Sequence, residues 1–284
     1  MDASGALTKE RMKKLLCMMM IAGLMAAAAV CAADELRVDF YDMGKADAML
    51  VTTPQGRRIL IDTGTNKGGK KLVSRFEEEG IDRIDLMLIT HYDKDHVGGA
   101  DKILEGVQVD AVVMPVYDKE SKQYTQFEEA LAAVKDIDVY RMGIGKETAF
   151  ESGDGLTMHV TAAHEEYYGK DEENDFSLAV RMTFGDVRLF FAGDAEAPRQ
   201  KELLEEGGVA CDVLKVPYHG RLTGMSEKFL TACAPKIAYI TDDEEEPASE
   251  EVIAILEKLG AQVYTSRKDG SVTVFTDGKT VRAQ

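Results

Sequence analysis

The chain has 284 residues, of which 45% are hydrophobic and 30% are charged, and its formal net charge at pH 7 is −17. This length and apolar content allow one large domain or two small ones with a packed core, and they exclude a chain that is disordered throughout. The negative charge repels polyanions at long range, so any contact with nucleic acid must depend on local cations or metal ions.

The N-terminal segment has the order of a secretory signal peptide. Basic side chains precede the apolar run LLCMMMIAGLMAAAAV, which leads to the small residues of CAAD. This order predicts a signal peptide over residues 1–33, cleaved near Ala32 or Ala33, and hence a secreted, cell-surface or periplasmic protein with no remaining membrane span. Cleavage removes four basic and two acidic side chains and changes the net charge from −17 to −19. A retained membrane anchor and a lipoprotein attached through Cys31 are the alternatives.

From residue 34 onward, apolar runs rich in β-branched residues alternate with segments of helical periodicity. The runs predict strands at 36–42, 48–53, 57–62, 84–90, 109–115, 156–162, 177–184, 187–193, 212–218, 236–241 and 271–276. The periodic segments predict helices at 69–79, 98–106, 121–135, 196–206, 225–233 and 248–259. Because the first three strands have no helix between them, we expect them to pair antiparallel. Residues 34–284 are therefore predicted to form one α+β domain, with two packed mixed sheets and helices outside.

The segment ITHYDKDHVGG (89–99) brings four potential metal ligands together after a predicted buried strand. These ligands are His91, Asp93, Asp95 and His96, in a chain that contains only five histidines. A polar turn closed by two glycines would explain one aspartate but not the whole set. Imidazole and carboxylate groups suit Zn, Fe and Mn, and the share of oxygen favours Mn relative to an all-histidine site. The segment therefore predicts two adjacent divalent ions, Zn or Mn.

Three further candidate ligands follow predicted strands. Asp194 ends the strand in FFAGDAE, His219 ends the strand in VLKVPYHG, and His164 follows a strand in TAAHEEY. Taken alone, Asp194 would cap a helix and each histidine would be an ordinary turn residue. Their recurrence at strand ends, together with the HYDKDH segment, favours metal ligation.

At these residues the chain resembles the metallo-β-lactamase superfamily, whose second motif is His-x-His-x-Asp-His. Here the motif is HYDKDH, with Asp93 in place of the second histidine. Within the superfamily, the chain is similar to the hydrolase domain of the DNA-uptake competence protein ComEC and to its free-standing secreted relatives. The similar segments are VDFYDMGKADAMLVTTPQGRRILIDTG (38–64), THYDKDHVGG (90–99), ENDFSLAVRM (173–182), LFFAGDAE (189–196), VLKVPYHG (213–220) and SRKDGSVTVFTDG (266–278). The resemblance implies an αββα sandwich with the metals at one edge of the two sheets.

The resemblance also implies a role for each ligand. One ion would be bound by His91, Asp93 and His164, the other by Asp95, His96 and His219, and Asp194 would bridge them. Asp95 and Asp194 are the predicted catalytic residues, and Asp95 would also orient the attacking water.

Five other residues match positions of the same motifs or lie beside them. Asp62 in LIDTG would support the ligand-bearing loop, and Asp47 in GKADA would line the site. The predicted substrate-binding residues are Asn174, Lys215 and Arg221, because the two cations suit a phosphate group.

Two bound divalent ions generate a hydroxide nucleophile from water and polarise a substrate oxygen. The main hypothesis is therefore a secreted binuclear metal-dependent hydrolase that cleaves phosphodiester bonds in DNA or in small nucleotides. One alternative is an ester, lactone or β-lactam hydrolase of the same fold. The other is a non-catalytic secreted binding protein that keeps the fold.

Two features receive no function. Outside the cytosol, Cys211 and Cys233 would either form a disulfide or remain as two buried thiols. The acidic run DDEEEPASEE (242–251) is predicted to be a solvated loop that enters a helix.

Overall fold

Two large β-sheets form from the apolar runs in the computed structural model, which describes residues 35–166, 168 and 173–284. The predicted signal peptide lies outside the described residues. In chain order the strands are β1 (Leu36–Phe40), β2 (Met49–Thr52), β3 (Arg58–Ile61), β4 (Arg83–Ile84), β5 (Leu86–Leu88), β6 (Gln108–Val109), β7 (Ala111–Pro115), β8 (Asp138–Met142), β9 (Glu147–Glu151), β10 (Leu156–Thr161), β11 (Ala179–Phe184), β12 (Val187–Phe191), β13 (Val213–Lys215), β14 (Ile237–Ile240), β15 (Gln262–Thr265), β16 (Val272–Thr276) and β17 (Val281–Ala283).

The two sheets divide the chain unequally. The first has eight strands in the order β17-β16-β1-β2-β3-β5-β7-β8, and the second has seven in the order β15-β14-β13-β12-β11-β10-β9. Strands β4 and β6 form a separate short pair. As predicted, β1, β2 and β3 pair antiparallel, whereas the strands that follow in the first sheet, β5, β7 and β8, run parallel.

Helices fill the chain between the parallel strands. They are α1 (Asn66–Glu79), α2 (Ala100–Gly106), α3 (Lys122–Ala133), α4 (Ala197–Glu206), α5 (Ser226–Cys233), α6 (Glu250–Lys258) and α7 (Ser266–Asp269). Short 3-10 turns occupy Glu173–Phe176 and Pro217–Gly220. Side-chain caps fix several helix starts: the Thr65 hydroxyl accepts from the Gly68 N–H at the start of α1, and Ser249 accepts from the Glu251 N–H at the start of α6.

Three apolar clusters produce four layers. The central cluster joins side chains such as Phe40 of the first sheet and Phe191 of the second, so the two sheets pack face to face. A second cluster places Phe76 of α1 and Phe127 of α3 against the outer face of the first sheet. In the third cluster, α4, α5 and α6 cover the outer face of the second sheet, with Phe229 among the buried side chains. The predicted αββα sandwich is confirmed.

Four strands were not predicted from the sequence, and all four lie at sheet edges. They are β8 and β17 at the two edges of the first sheet and β9 and β15 at the two edges of the second. In β8 only Met142 is buried, and in β9 no residue is. An edge strand covers less of the core than a central strand, so its sequence carries more polar side chains and a weaker hydrophobic pattern.

Among the described residues, no helix has both the length and the apolar character that a membrane span needs.

Candidate metal centre

The loop that follows β5 carries the HYDKDH segment and is fixed by close backbone packing. Gly99 lies so near the Thr63 carbonyl and Gly69 of α1 that a Cβ at this position would overlap both backbones. The Gly99 N–H donates to the Gly64 carbonyl at 3.0 Å, and the Thr63 N–H donates to the His96 carbonyl at 2.9 Å. The glycines of the motif therefore let the loop pack directly against the start of α1, which fixes the direction of its side chains.

Asp62 anchors the same loop from the end of β3. Its backbone is left-handed, with φ of 56°, and its carboxylate is completely buried. One oxygen accepts from the Thr90 N–H at 2.8 Å, while the other accepts from the Thr90 hydroxyl at 2.7 Å and lies 2.9 Å from His96 Nδ1. The predicted supporting role of Asp62 agrees with these contacts, because a proton held on Nδ1 leaves the Nε2 lone pair of His96 free for a ligand.

The second sheet contributes Asp194, which follows β12, and His219, which follows β13. Tyr218 and His219 are both left-handed, with φ of 53° and 52°, and this turn directs the His219 ring into the interior. Thr241, which follows β14, contacts His219 Nδ1 through its hydroxyl at 2.8 Å and its carbonyl at 3.2 Å. His219 is thus held like His96, with Nδ1 engaged by the protein and Nε2 directed elsewhere.

The two sheets bring these side chains to one point. Asp194 Oδ1 lies 3.3 Å from His96 Nε2, and Asp194 Oδ2 lies 2.9 Å from His219 Nε2. The two Nε2 atoms are 3.4 Å apart, and Asp95 Oδ2 lies 3.5 Å from His219 Nε2. His91, His96 and Asp194 also offer ligand atoms that all lie within 4.8 Å of one another. Asp194 therefore occupies the central position that was predicted for a bridging ligand.

His91 supplies the clearest indication of a bound cation. Its Nδ1 lies 3.2 Å from the Thr90 hydroxyl and 3.4 Å from the Ser177 hydroxyl, whereas its Nε2 is fully buried with no hydrogen-bond partner in the described part of the chain. A buried polar atom without a partner is costly, and a metal ligand explains it. The donor set of imidazole nitrogens and carboxylate oxygens fits a divalent transition-metal ion.

The local field also favours cations. Burial lowers the pKa of His91 to about 4, and the neighbouring His96 adds to this effect, so its imidazole is neutral at pH 7. The pKa of His96 is well above its ordinary value, because Asp194, Asp47 and Asp62 together outweigh the opposing effect of burial. The pKa of Asp194 is held well below its usual range by His219 and His96, although burial opposes this. The same carboxylates that favour a proton on an imidazole favour a metal ion there.

The remaining predicted ligands lie in different surroundings. Asp93 is 37% exposed, with Oδ2 4.0 Å from His91 Nε2. His164 is not brought into this cluster: its side chain is 40% exposed, and its Nε2 lies 3.3 Å from Glu206 Oε1. Charged side chains of α4 lie beside it, and among them Glu202 and Glu206 both pair with the buried Arg199. The strand that precedes His164 ends at Thr161, and the chain then turns toward α4 rather than toward His91.

Of the predicted substrate-binding residues, Lys215 needs correction, whereas Arg221 and Asn174 stay predictions. Lys215 is completely buried and pairs with the equally buried Asp47, so its ammonium does not face the solvent. Arg221 is exposed, but it pairs with Glu246 and stacks 5.3 Å from the Tyr218 ring. Asn174 donates to Glu196 Oε1 at 2.8 Å.

Sequence reasoning missed three groups at this site. Lys45 donates to Asp95 Oδ2 at 3.1 Å, and Lys119 donates to Asp93 Oδ1 at 2.9 Å. Lys45 stands in the GKADA segment two residues before Asp47, whereas Lys119 belongs to no recognised motif. Thr241, the third group, follows an apolar strand as Asp194 and His219 do. This position after a strand is the sequence feature from which it could have been predicted.

The acidic run is only partly a solvated loop. Asp242 is fully buried, where it accepts from the Ala248 N–H at 3.1 Å and pairs with Arg267 at 3.3 Å. Glu246 lies 3.7 Å from Lys45 Nζ at the metal centre. The entry into a helix is as predicted, because α6 follows at residue 250.

Cys211 and Cys233 are free thiols, and both are buried. The Cys211 N–H donates to the Cys233 carbonyl at 2.9 Å, so the two residues are neighbours. Of the two alternatives, the structure contains the pair of buried thiols.

Comparisons with known proteins agree with the fold and with the competence-protein relatives that the sequence predicts. A family model described as the metallo-β-lactamase superfamily matches residues 41–240. ComE operon protein 3 of Bacillus subtilis is 27% identical over 263 residues, which cover 85% of this chain and 33% of that protein. Recombination protein 2 of Haemophilus influenzae is 26% identical, covering 78% of this chain and 26% of that protein. Competence protein ComA of Neisseria gonorrhoeae is 23% identical, covering 72% of this chain and 27% of that protein. The chain therefore spans about a third or less of these curated relatives.

Solved structures resemble the chain in fold alone. The metallo-β-lactamase fold protein YhfI of Bacillus subtilis superimposes with a TM-score of 0.54 at 11% identity, covering 83% of this chain and 98% of that one. CmlA, a diiron β-hydroxylase from Streptomyces venezuelae, gives a TM-score of 0.53 at 16% identity, covering 85% and 54%. With the family model spanning most of the chain, and with the sandwich and its histidine–aspartate cluster at the ends of the strands, this protein belongs to the metallo-β-lactamase superfamily.

Proposed function

We propose that this protein is an exported binuclear metal-dependent hydrolase that cleaves phosphodiester bonds. The observation that carries the proposal is the buried convergence of His96 Nε2 and His219 Nε2 on Asp194, with a ligand atom of His91 within 4.8 Å of ligand atoms of His96 and Asp194. His91 Nε2 is left without a hydrogen-bond partner among the described residues. A structural histidine in a core is normally satisfied by its neighbours, whereas a ligand histidine keeps one nitrogen for the metal.

The chain offers ligands for two ions. His91 and Asp93 would hold one ion, Asp95, His96 and His219 the other, and Asp194 would contact both. His164 would join the first ion only if its loop moved toward His91. Divalent ions bound there would activate a water molecule and stabilise negative charge on the substrate oxygens.

The protein's own residues prepare this centre. Asp62 contacts Nδ1 of His96 and Thr241 contacts Nδ1 of His219, and the Nε2 atoms of both rings lie beside Asp194. Asp95 lies beside His219 at the same point, with Oδ2 3.5 Å from His219 Nε2, and would orient the attacking water. Burial of the cluster excludes bulk water, which strengthens the interaction of each charge with the substrate.

The substrate class rests on the relatives and on charge. The names of two relatives refer to competence and to recombination, both of which are processes of DNA. The net charge of −17 opposes long nucleic acids, so a short single strand or a small phosphodiester is the substrate that this chain disfavours least. We include Mn²⁺ as the first ion to test, beside Zn²⁺, because three of the seven predicted ligands are carboxylates, a larger share of oxygen than in an all-histidine site.

Cleavage of single-stranded DNA, double-stranded DNA and bis(p-nitrophenyl) phosphate by the purified protein in Mn²⁺ tests the proposal. Asp95→Asn is the site variant. Asp110→Asn is the matched control, because Asp110 precedes β7 and thus lies at the opposite end of the sheet from the ligands. We expect wild type and Asp110→Asn to be active and Asp95→Asn to lose activity by at least a hundredfold.

Equal activity of the Asp95→Asn preparation would identify a contaminating nuclease and reject the assignment. No cleavage of any phosphodiester by a protein that demonstrably carries the metal would reject the substrate class. Fractionation of the producing cells, with sequencing of the mature N-terminus, tests export: an N-terminus near residue 34 is expected, and a cytoplasmic chain that begins at Met1 would reject it.

A further inference from the structure

Two lysines contact the carboxylates of the metal centre, although neither belongs to the metal-ligand motif. Lys45 Nζ lies 3.1 Å from Asp95 Oδ2, and Lys119 Nζ lies 2.9 Å from Asp93 Oδ1. Their side chains are only 20% and 16% exposed, in contrast to Lys94, which lies between the two aspartates in sequence and is exposed. Each predicted ion thus has one largely buried ammonium beside one of its ligands.

We propose that Lys45 and Lys119 form a pair of anion-binding groups that receive the non-bridging oxygens of a substrate phosphate. This inference rests on the proposed function for the identity of the substrate, but it concerns binding and not turnover.

Charge balance is the first argument. An ammonium has three donors and no acceptor, so it needs anionic or polar oxygen atoms around it. Lys45 has Asp95 as one partner and Glu246, at 3.7 Å, as a second, while Lys119 has Asp93 and Glu173. A carboxylate that coordinates a divalent ion has less negative charge to share with a lysine. The ammonium then has donors available for another anion at the same place.

Orientation is the second argument. Lys119 contacts Oδ1 of Asp93, whereas Oδ2 of that carboxylate faces His91 Nε2 at 4.0 Å. Lys45 contacts Oδ2 of Asp95, the atom that lies 3.5 Å from His219 Nε2. The two lysines therefore stand beside different members of the cluster, one on the His91 side and one on the His219 side. A phosphate at the cluster would meet one cation from each side.

The overall charge supplies the third argument. A chain with a net charge of −17 repels a phosphate ester at long range, so its affinity must come from groups in direct contact. Of the cations predicted from sequence, Lys215 is buried against Asp47 and Arg221 is paired with Glu246. Lys215 Nζ also lies 3.9 Å from Asp194 Oδ1, but it is completely buried. Lys45 and Lys119 are partly exposed and contact the ligand carboxylates Asp95 and Asp93.

The proposal makes two predictions of opposite sign for one substitution. Lys45→Met removes a competitor for Asp95 Oδ2, so Mn²⁺ affinity should be unchanged or increased. It also removes a donor to phosphate, so phosphate affinity should fall by about tenfold, the size expected for a charge-assisted hydrogen bond. Structural damage to the site would lower both affinities together.

The experiment measures dissociation constants by calorimetry at fixed ionic strength, first for Mn²⁺ and then for inorganic phosphate with the Mn²⁺-loaded protein. The variants are Lys45→Met and Lys119→Met, with Lys45→Arg as the conservative variant and Lys94→Met as the control for loss of one charge near the site. We expect weaker phosphate binding in the two methionine variants, near-normal binding in Lys45→Arg, and less than a twofold change in Lys94→Met.

Three results would overturn the proposal. They are an unchanged phosphate affinity in both methionine variants, an equal loss in Lys94→Met, and a parallel loss of metal and phosphate affinity. Failure of the proposed function is seen separately: a protein that binds phosphate through these lysines but cleaves no phosphodiester would retain the anion site and lose the enzymatic assignment. In an active protein, the lysine substitutions should raise KM for a phosphodiester more than they lower kcat.

Discussion

Lys215 provides a direct test of how the second sheet supports the metal centre. Its ammonium and the Asp47 carboxylate are both completely buried and pair with each other. Lys215→Met keeps the length of the side chain but leaves the carboxylate without its cation. Removing one partner of a buried pair costs about 3–5 kcal/mol. Asp47 keeps the Thr241 hydroxyl at 2.6 Å and the rings of His219 and His96 at 3.6 and 3.8 Å, so we expect the lower end, about 3 kcal/mol.

Urea unfolding at pH 7 in the presence of EDTA measures this loss without a contribution from bound metal. With a denaturant slope of about 3 kcal/mol/M, the midpoint should fall by about 1 M. Lys236→Met is the matched control, because Lys236 is 63% exposed in its pair with Asp212 and should cost less than about 1 kcal/mol. The double variant Lys215→Met/Asp47→Asn should recover part of the loss, since it removes the unpaired charge. If Lys215→Met unfolds within about 0.5 kcal/mol of wild type, the reasoning about this buried pair is refuted.

Three other outcomes are expected. Gly99→Ala should destabilise the fold by about 1–3 kcal/mol in urea unfolding, because its Cβ would overlap the Thr63 backbone. Gly224→Ala should be neutral, because a Cβ at Gly224 has no neighbour within 4 Å. Equal effects of the two substitutions would contradict the packing argument. Arg199 and Arg181 hold the pKa of Glu206 below its ordinary value, against the opposing effect of burial. Its stabilising contribution is therefore complete above the unfolded pKa of about 4.3 and is lost as the pH falls, so Glu206→Gln should flatten the acid limb of a melting-temperature profile, and an unchanged limb would contradict this. Mn²⁺ at about 100 times its dissociation constant should stabilise the wild type by about 2.7 kcal/mol, and EDTA should reverse this stabilisation. His91→Ala should reduce the stabilisation by Mn²⁺. An undiminished stabilisation of this variant would argue against His91 as a ligand.

The central sheets and most of the metal centre could be predicted from the sequence because two local signals coincide there. Long apolar runs mark buried strands, and polar residues directly after these runs mark the ends of the strands, where Asp194 and His219 meet the HYDKDH loop. Edge strands such as Asp138–Met142 lack this contrast, because their side chains face solvent.

Residues whose function depends on distant partners could not be predicted. In the sequence VLKVPYHG, Lys215 is indistinguishable from a cation that could bind a substrate. Only the fold shows that Asp47, far away in the chain, pairs with it in the interior. His164 follows a strand as the other candidates do, but its loop leads to the charges of α4. Lys119 occurs between β7 and α3 without any motif, and its contact with Asp93 exists only in three dimensions.

The pairing of β1 with β16, in which Leu36 faces Thr276, has a consequence for the order in which the candidate metal centre can form. All seven strands of the second sheet lie between these two partners in the chain, so all of them are synthesised before β16 can pair with β1. A nascent chain carries the HYDKDH loop early, but Asp194 and His219 join it only when the two sheets meet. A cation that contacts all of these groups can therefore bind only after the two sheets have packed together.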